Sequence, residues 1–174
     1  MPCGSRWTPA GRRGIPAAVA MRLSDLLSDE RVSTSLAASN KGAALDALAA
    51  LLSLGPDGPD RLAVVRVLRE REALASTGVG DEVAIPHGRL PGLTRVIAAV
   101  ALSPDGVDFD SIDHRPVRIF VAILAPERCP GDQLRALARV SRLLRDPRVR
   151  ARLASATSPA ALLQVVREEE GPGA

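Results

Sequence analysis

Two apolar stretches restrict the folding of this chain more than anything else in it. Residues 96–102 read Val-Ile-Ala-Ala-Val-Ala-Leu, and residues 117–124 read Val-Arg-Ile-Phe-Val-Ala-Ile-Leu. Both are rich in β-branched residues and apolar at nearly every position, so neither can turn a face to water. Short runs of that kind are central strands covered on both sides. They predict an α/β fold, a mixed β-sheet sandwiched between helices. Neither run approaches the ~18 residues of a membrane span, so no membrane insertion is expected.

Cover for the two faces comes from amphipathic stretches. Ser39-Asn40 is a capping signal, and Ala44, Leu45, Leu48, Leu51 and Leu52 follow on one helical face. The turn formers at 55–60 close that helix. Asp60 then caps a second helix, whose inward face is read as Leu62, Val65 and Leu68. Later, a helix starting near Asp132 should bury Leu134, Leu137, Val140 and Leu144. Residues 147–154 form another, and Ser158 with Pro159 opens a last one that buries Leu162 and Val166. Residues 168–174 read as a frayed acidic end. Near the start, 23–27 reads as a short helix or turn and Val32 as a strand residue.

Between the second helix and the first apolar run lies Arg71-Glu72-Ala73-Leu74-Ala75-Ser76-Thr77-Gly78-Val79-Gly80-Asp81-Glu82-Val83-Ala84-Ile85-Pro86-His87-Gly88-Arg89. Val83, Ala84 and Ile85 read as a short strand that Pro86 ends, since proline has no N–H for a ladder. His87 is thereby presented at the rim of the sheet. Gly78 and Gly80 allow a turn in which several N–H groups converge, which would suit an anion. Imidazole near its free pKa of ~6.5 is substantially neutral near pH 7 and can act as a nucleophile through a ring nitrogen. The donors at hand are the 76–80 backbone, the hydroxyls of Ser76 and Thr77, and the Arg71 guanidinium.

This stretch resembles the phosphorylation site of the enzyme IIA domains of the bacterial phosphoenolpyruvate-dependent phosphotransferase system, fructose/mannitol type, and especially their nitrogen-regulatory branch. The matching residues are Arg71, Glu72, Ser76, Thr77, Gly78, Val79, Gly80, Val83, Ala84, Ile85, Pro86, His87 and Gly88. The resemblance continues through Phe109, Asp110, Ser111, Ile112 and Asp113, then Pro116 and Val117, and spans roughly residues 21–170. It implies that His87 is the phosphorylated residue and that Arg71 orients the phosphate. Ser76, Thr77, Gly78 and Gly80 would then bind the phosphate. The implied donor is the phosphorylated histidine of the small phosphocarrier HPr, the implied compartment is the cytoplasm, and a kinase or transporter is the kind of target such a regulator would control. A fructose-type sugar component and a regulator that acts by binding alone, without phosphate, are the alternatives. Many relatives carry a second histidine in the helix after the central strand; here Gln133 stands at that place, as a possible outer partner of the phosphoryl group.

Composition agrees with one domain of this kind: 174 residues with 46% hydrophobic content can fill one core. The net charge of +3 and pI near 9.6 would suit nucleic acid, but Arg6, Arg12 and Arg13 account for the excess and no acid precedes Asp25. With 2% aromatic residues there is no base-stacking platform either. No nucleic-acid partner, metal or cofactor is expected, since two histidines and two distant cysteines are a poor ligand set. Residues 1–20 read as a disordered extension or a mis-assigned start before Met21, 21–170 as the domain and 171–174 as a tail. His114, Asp110 and Asp113 read as turn and surface residues, and Arg135, Arg139 and Arg142 as a solvated stripe.

Overall fold

In the computed structural model, residues 21–171 are described; the expectations for 1–20 and for 172–174 lie outside them. The two apolar runs form β5 (Ile97–Val107) and β6 (Val117–Pro126), an antiparallel pair at the centre of a six-stranded mixed sheet. A short β1 (Val32–Ser33) runs parallel to β5. On the other side, β3 (Val83–Ala84) and β4 (His87–Leu90) both run parallel to β6, and β2 (Gly78–Gly80) pairs antiparallel with β3. The order is β1-β5-β6-β3-β2, with β4 beside β6 beyond the end of β3.

Because side chains alternate across a strand, the central strands feed two separate cores. Val96, Ala98, Val100, Ile119, Val121 and Ile123 face one layer: α1 (Leu23–Leu26), α4 (Pro130–Arg145), α5 (Pro147–Ala154) and α6 (Pro159–Glu170). Ile97, Ala99, Ala101, Phe120, Ala122 and Leu124 face the other: α2 (Lys41–Leu52) and α3 (Arg61–Leu74). This is the expected sandwich. Truncating a wholly buried residue such as Ile123 to alanine would cost about 2–5 kcal/mol.

Helix starts follow the capping signals: the side chains of Asn40, Asp60 and Ser158 accept from the N–H groups of Ala43, Ala63 and Ala161. Several inward faces differ from the sequence reading. In α3, Val64, Leu68 and Glu72 are buried while Leu62 is 77% exposed. In α4, Gln133, Ala136, Val140 and Leu144 are buried and Leu134 is 66% exposed. That helix starts at Pro130, with Cys129 at the N-cap position and Asp132 already in its first turn. Of the acidic end, residues 168–170 are helical, the last of α6. Glu170 closes α6, and its carboxylate accepts from the N–H groups of Leu23 and Ser24 at 2.7 and 2.9 Å, capping α1 from across the sequence.

Strand β3 stops at Ala84, as a proline break requires, but Pro86 does not end the pairing along β6. Its carbonyl accepts from the Ile123 N–H at 2.9 Å, and β4 resumes on β6 in the same register offset that β3 holds. Proline removes one donor here and leaves the pairing intact.

Candidate functional site

His87 is the first residue of β4, whose only strand partner among the described residues is β6. The histidine therefore stands on a sheet edge, past the end of the β2–β3 hairpin. That hairpin turns at Asp81 and Glu82, both with positive φ (54° and 63°), the geometry of a tight two-residue turn. Helix α3 lies against β4 closely enough that a Cβ on Gly88 would sit 2.2 Å from Val67 Cγ1. Arg71 is one turn beyond Val67 on the same helix face, which carries its guanidinium to the imidazole.

The ring makes two contacts. His87 Nδ1 lies 2.8 Å from the Ile85 carbonyl oxygen, which can only accept, so Nδ1 carries the proton. Nε2 then holds the lone pair, and it accepts from Arg71 Nε–H at 3.1 Å. Burial pushes the His87 pKa below its ordinary value and the Arg71 cation pushes it further down, against the raising effects of the Ile85 carbonyl and the Glu72 carboxylate. The net direction is down, so the imidazole is neutral near pH 7 and Nε2 is a competent nucleophile.

Arg71 is held as well as held out. Its second donor goes to the Ala75 carbonyl at 3.0 Å. The next residue, Glu72, is buried and accepts from the Thr77 N–H and hydroxyl and from Lys41 Nζ at 3.0 Å. Lys41 also pairs with Asp110. This knot fixes how the chain leaves α3 and so where Arg71 ends up. Glu72 was visible in the sequence as a motif residue, but its partners are not contiguous with it.

The 76–80 turn does not converge on the imidazole in this conformation. The Gly78 N–H donates to Ser76 Oγ, the Gly80 N–H to Ser111 Oγ, and Ser76 Oγ to the Phe109 carbonyl. With the Thr77 N–H on Glu72, the donors of the turn staple it to the 108–113 segment. Asp113 adds to the staple by accepting from the Asp81 N–H at 2.9 Å. His114 is exposed on the same segment.

What does surround the histidine is a cavity of about 310 Å³ lined by Val67, Glu70, Arg71, Leu74, His87, Gly88, Arg89 and Gln133. Thus Arg71 and Gln133 line the cavity with His87, whereas Ser76 and the buried Thr77, Gly78 and Gly80 are not among its lining residues. Gln133 is buried in α4, and its amide oxygen accepts from Arg89 Nε at 2.8 Å. Arg89 was missed by the sequence reading. The available signal was strand alternation, which puts residues 87 and 89 on one side of β4.

Residues 25–169 match the family described as phosphoenolpyruvate-dependent sugar phosphotransferase system, EIIA 2. The chain belongs to that family. It is 38% identical to a nitrogen regulatory protein of Bradyrhizobium diazoefficiens over 146 residues, covering 84% of this chain and 95% of the relative. It is 29% identical over 150 residues to the fructose-specific EIIABC component of Bacillus subtilis, covering 86% of this chain and only 24% of that larger protein. Among solved structures it resembles the nitrogen regulatory protein IIA-Ntr of Neisseria meningitidis with a TM-score of 0.77 and 26% identity, covering 83% of this chain and 99% of that one. The EIIA 2 domain here has no helix, among the described residues, long and apolar enough to cross a membrane.

Proposed function

We propose that this EIIA 2 chain is a phosphoryl carrier: Nε2 of His87 accepts a phosphoryl group from the phosphorylated histidine of HPr in the cytoplasm. The group is then passed on, or held as a signal read by a target protein such as a kinase or transporter. The observation that carries the proposal is the ring geometry. Nδ1–H is tied to Ile85, and the Nε2 lone pair opens on the cavity beside Arg71.

In the transfer the Nε2 lone pair forms the new P–N bond while the P–N bond to the donor imidazole breaks, its electron pair returning to the donor ring nitrogen. No proton has to move, because Nδ1–H stays on the Ile85 carbonyl throughout. Arg71 must let go of Nε2 for the attack, and its N–H groups are then free for the phosphoryl oxygens, whose charge they neutralise. The similarity to nitrogen regulatory proteins supports the signalling use of the phosphoryl group; the similarity to a fructose-specific component supports a sugar-transport use.

Incubation of the purified chain with phosphoenolpyruvate, enzyme I and HPr tests the proposal. Acid-labile phosphate on the wild type, absent from His87→Ala, is expected. No label on the wild type, or equal label on both, would overturn it, the first result leaving a regulator that acts by binding alone.

A further inference from the structure

Arg71 and Arg89 line the cavity with His87 from opposite sources, one at the end of α3 and one on β4. Among the described residues Arg71 donates only to His87 and to the Ala75 carbonyl, and Arg89 only to the Gln133 amide oxygen. No carboxylate among the described residues lies within 4.0 Å of either guanidinium, although Arg69, Arg95, Arg115, Arg139 and Arg150 elsewhere all have one. Glu70 is the one acid lining the cavity, and it is exposed and pairs with neither. Glu72, the nearest buried acid, is already engaged by Thr77 and Lys41. With the imidazole neutral, two cations stand against one solvated carboxylate, so among the described residues the cavity lining carries a net positive charge.

Gln133 adds a second, independent indication. It is 6% exposed on the inward face of α4, beside Ala136 and Val140, where an amide is out of place unless its polar atoms are used. Its oxygen takes Arg89 Nε–H, which leaves the two terminal nitrogens of Arg89 without a protein acceptor among the described residues. A guanidinium anchored by its Nε and free at its fork is arranged for bidentate contact with an oxyanion.

We infer that this cavity is a two-arginine site for a tetrahedral phosphate dianion, with Arg89 as its second cation and Gln133 as the residue that positions Arg89. The covalent case, a phosphoryl group on Nε2, rests on the carrier function proposed above. The same chemistry takes free inorganic phosphate in the unphosphorylated chain, a case that does not depend on that proposal. When phosphate is attached to Nε2, Arg71 loses the lone pair it was donating to and turns to an equatorial oxygen, while Arg89 supplies donors from the β4 side.

The experiment titrates inorganic phosphate into the unphosphorylated chain near pH 8, where phosphate is dianionic and imidazole neutral, and follows the His87 ring by NMR. Arg89 is exposed, so its contribution is screened by salt, and a denaturant melt of each variant separates lost binding from the cost of leaving the Gln133 oxygen unpaired. Arg89→Met is expected to weaken phosphate binding about tenfold, Arg89→Lys to restore part, and Arg142→Met, remote on α4, to change nothing. Gln133→Ala should weaken binding in the wild-type background and have no further effect on Arg89→Met, the signature of a residue that acts through its partner. A purely structural role for Gln133 would lower both backgrounds alike. Equal titration of wild type and Arg89→Met, including no response in either, overturns the site. A parallel incubation with phosphoenolpyruvate, enzyme I and HPr separates the two cases: an unlabelled His87 with Arg89-dependent phosphate binding rejects the carrier and keeps the anion site, whereas label at the wild-type level on Arg89→Met together with unchanged phosphate binding does the reverse.

Discussion

Arg71 Nε donates to His87 Nε2 across 3.1 Å, so the nitrogen with the free lone pair already touches a cation before any phosphoryl group arrives. The contact keeps the imidazole deprotonated at Nε2 and stations the guanidinium where phosphoryl oxygens would develop charge. In the proposed transfer one side chain would tune the nucleophile and then meet the product.

The first prediction follows from that contact. Burial and the Arg71 cation both lower the His87 pKa, so its NMR titration midpoint should lie below the free value of ~6.5. Between the folded and unfolded midpoints the unfolded chain binds more protons, so this group's contribution to stability is fully present above ~6.5 and is lost as pH falls through the folded midpoint. Arg71→Met removes the cation and should raise the midpoint. It should also weaken the phosphoform by about 1.5–3 kcal/mol, roughly ten- to a hundredfold in the transfer equilibrium. An unmoved midpoint with wild-type transfer would make Arg71 a structural residue.

The fold was legible in the sequence where residues could have only one environment. The runs at 96–102 and 117–124 had to be covered on both faces, and Asn40, Asp60 and Ser158 had to be caps. Leu62 and Leu134 were misread because two overlapping stripes fit the same helical period, and the choice between them depends on the angle at which each helix meets the sheet. Pro86 was read as the end of a strand, which it is, but the new strand that pairs with β6 from His87 onward was not foreseen. At the site, the motif singled out His87 and Arg71 and the family resemblance singled out Gln133, and the fold brings all three to one cavity. The expected convergence of the 76–80 donors is not seen, because their acceptors, Glu72, Ser111 and the Phe109 carbonyl, lie 5 to 33 residues away and only the fold brings them near.

Gly88 should be intolerant of any side chain. A Cβ there would meet Val67 Cγ1 at 2.2 Å, with the Val67 carbonyl next nearest at 3.6 Å. Gly88→Ala therefore pushes α3 off β4 and separates Arg71 from His87. A loss of about 1–3 kcal/mol in unfolding free energy is expected, together with impaired phosphorylation. Gly88→Ala combined with Val67→Ala should recover a large part of both in denaturant melts and labelling, since the blocking methyl is gone. A Gly88→Ala protein as stable and as readily labelled as wild type would show that α3 and β4 do not meet this closely.

Glu170 separates stability from chemistry. Burial raises its pKa, but the N–H groups of Ser24 and Leu23 and the Arg139 guanidinium outweigh that and hold it below the ordinary carboxylate value. Stability from this group is therefore present above the unfolded pKa near 4.3 and lost as pH falls through the lower folded value. Glu170→Ala should cost about 0.5–2 kcal/mol, the range of a lost helix cap, by freeing α1 from α6, and it should leave His87 labelling intact. Altered labelling at unchanged stability would contradict the assignment of Glu170 to the α1–α6 junction.

Gln133 gives the last prediction. It is buried on α4 and lines the His87 cavity together with Arg71 and Arg89. Its amide can donate and accept hydrogen bonds but has no titratable proton near neutral pH. A histidine in its place would be desolvated beside two guanidinium groups, and both effects favour the neutral ring while the cavity is empty. Arrival of a phosphoryl dianion on His87 reverses the local field and favours the imidazolium. Gln133→His should therefore take up a proton as phosphate arrives, and the transfer equilibrium should shift with pH between about 6 and 8, by up to tenfold per pH unit for one linked proton, with the phosphoform favoured at the acid end. The wild type, lacking that proton, should show a flatter profile over the same interval. The check is the phosphorylated fraction at a fixed ratio of phospho-HPr to HPr, measured across that range for both proteins. Parallel profiles would mean that position 133 does not sense charge arriving at His87, even though the two residues line one cavity.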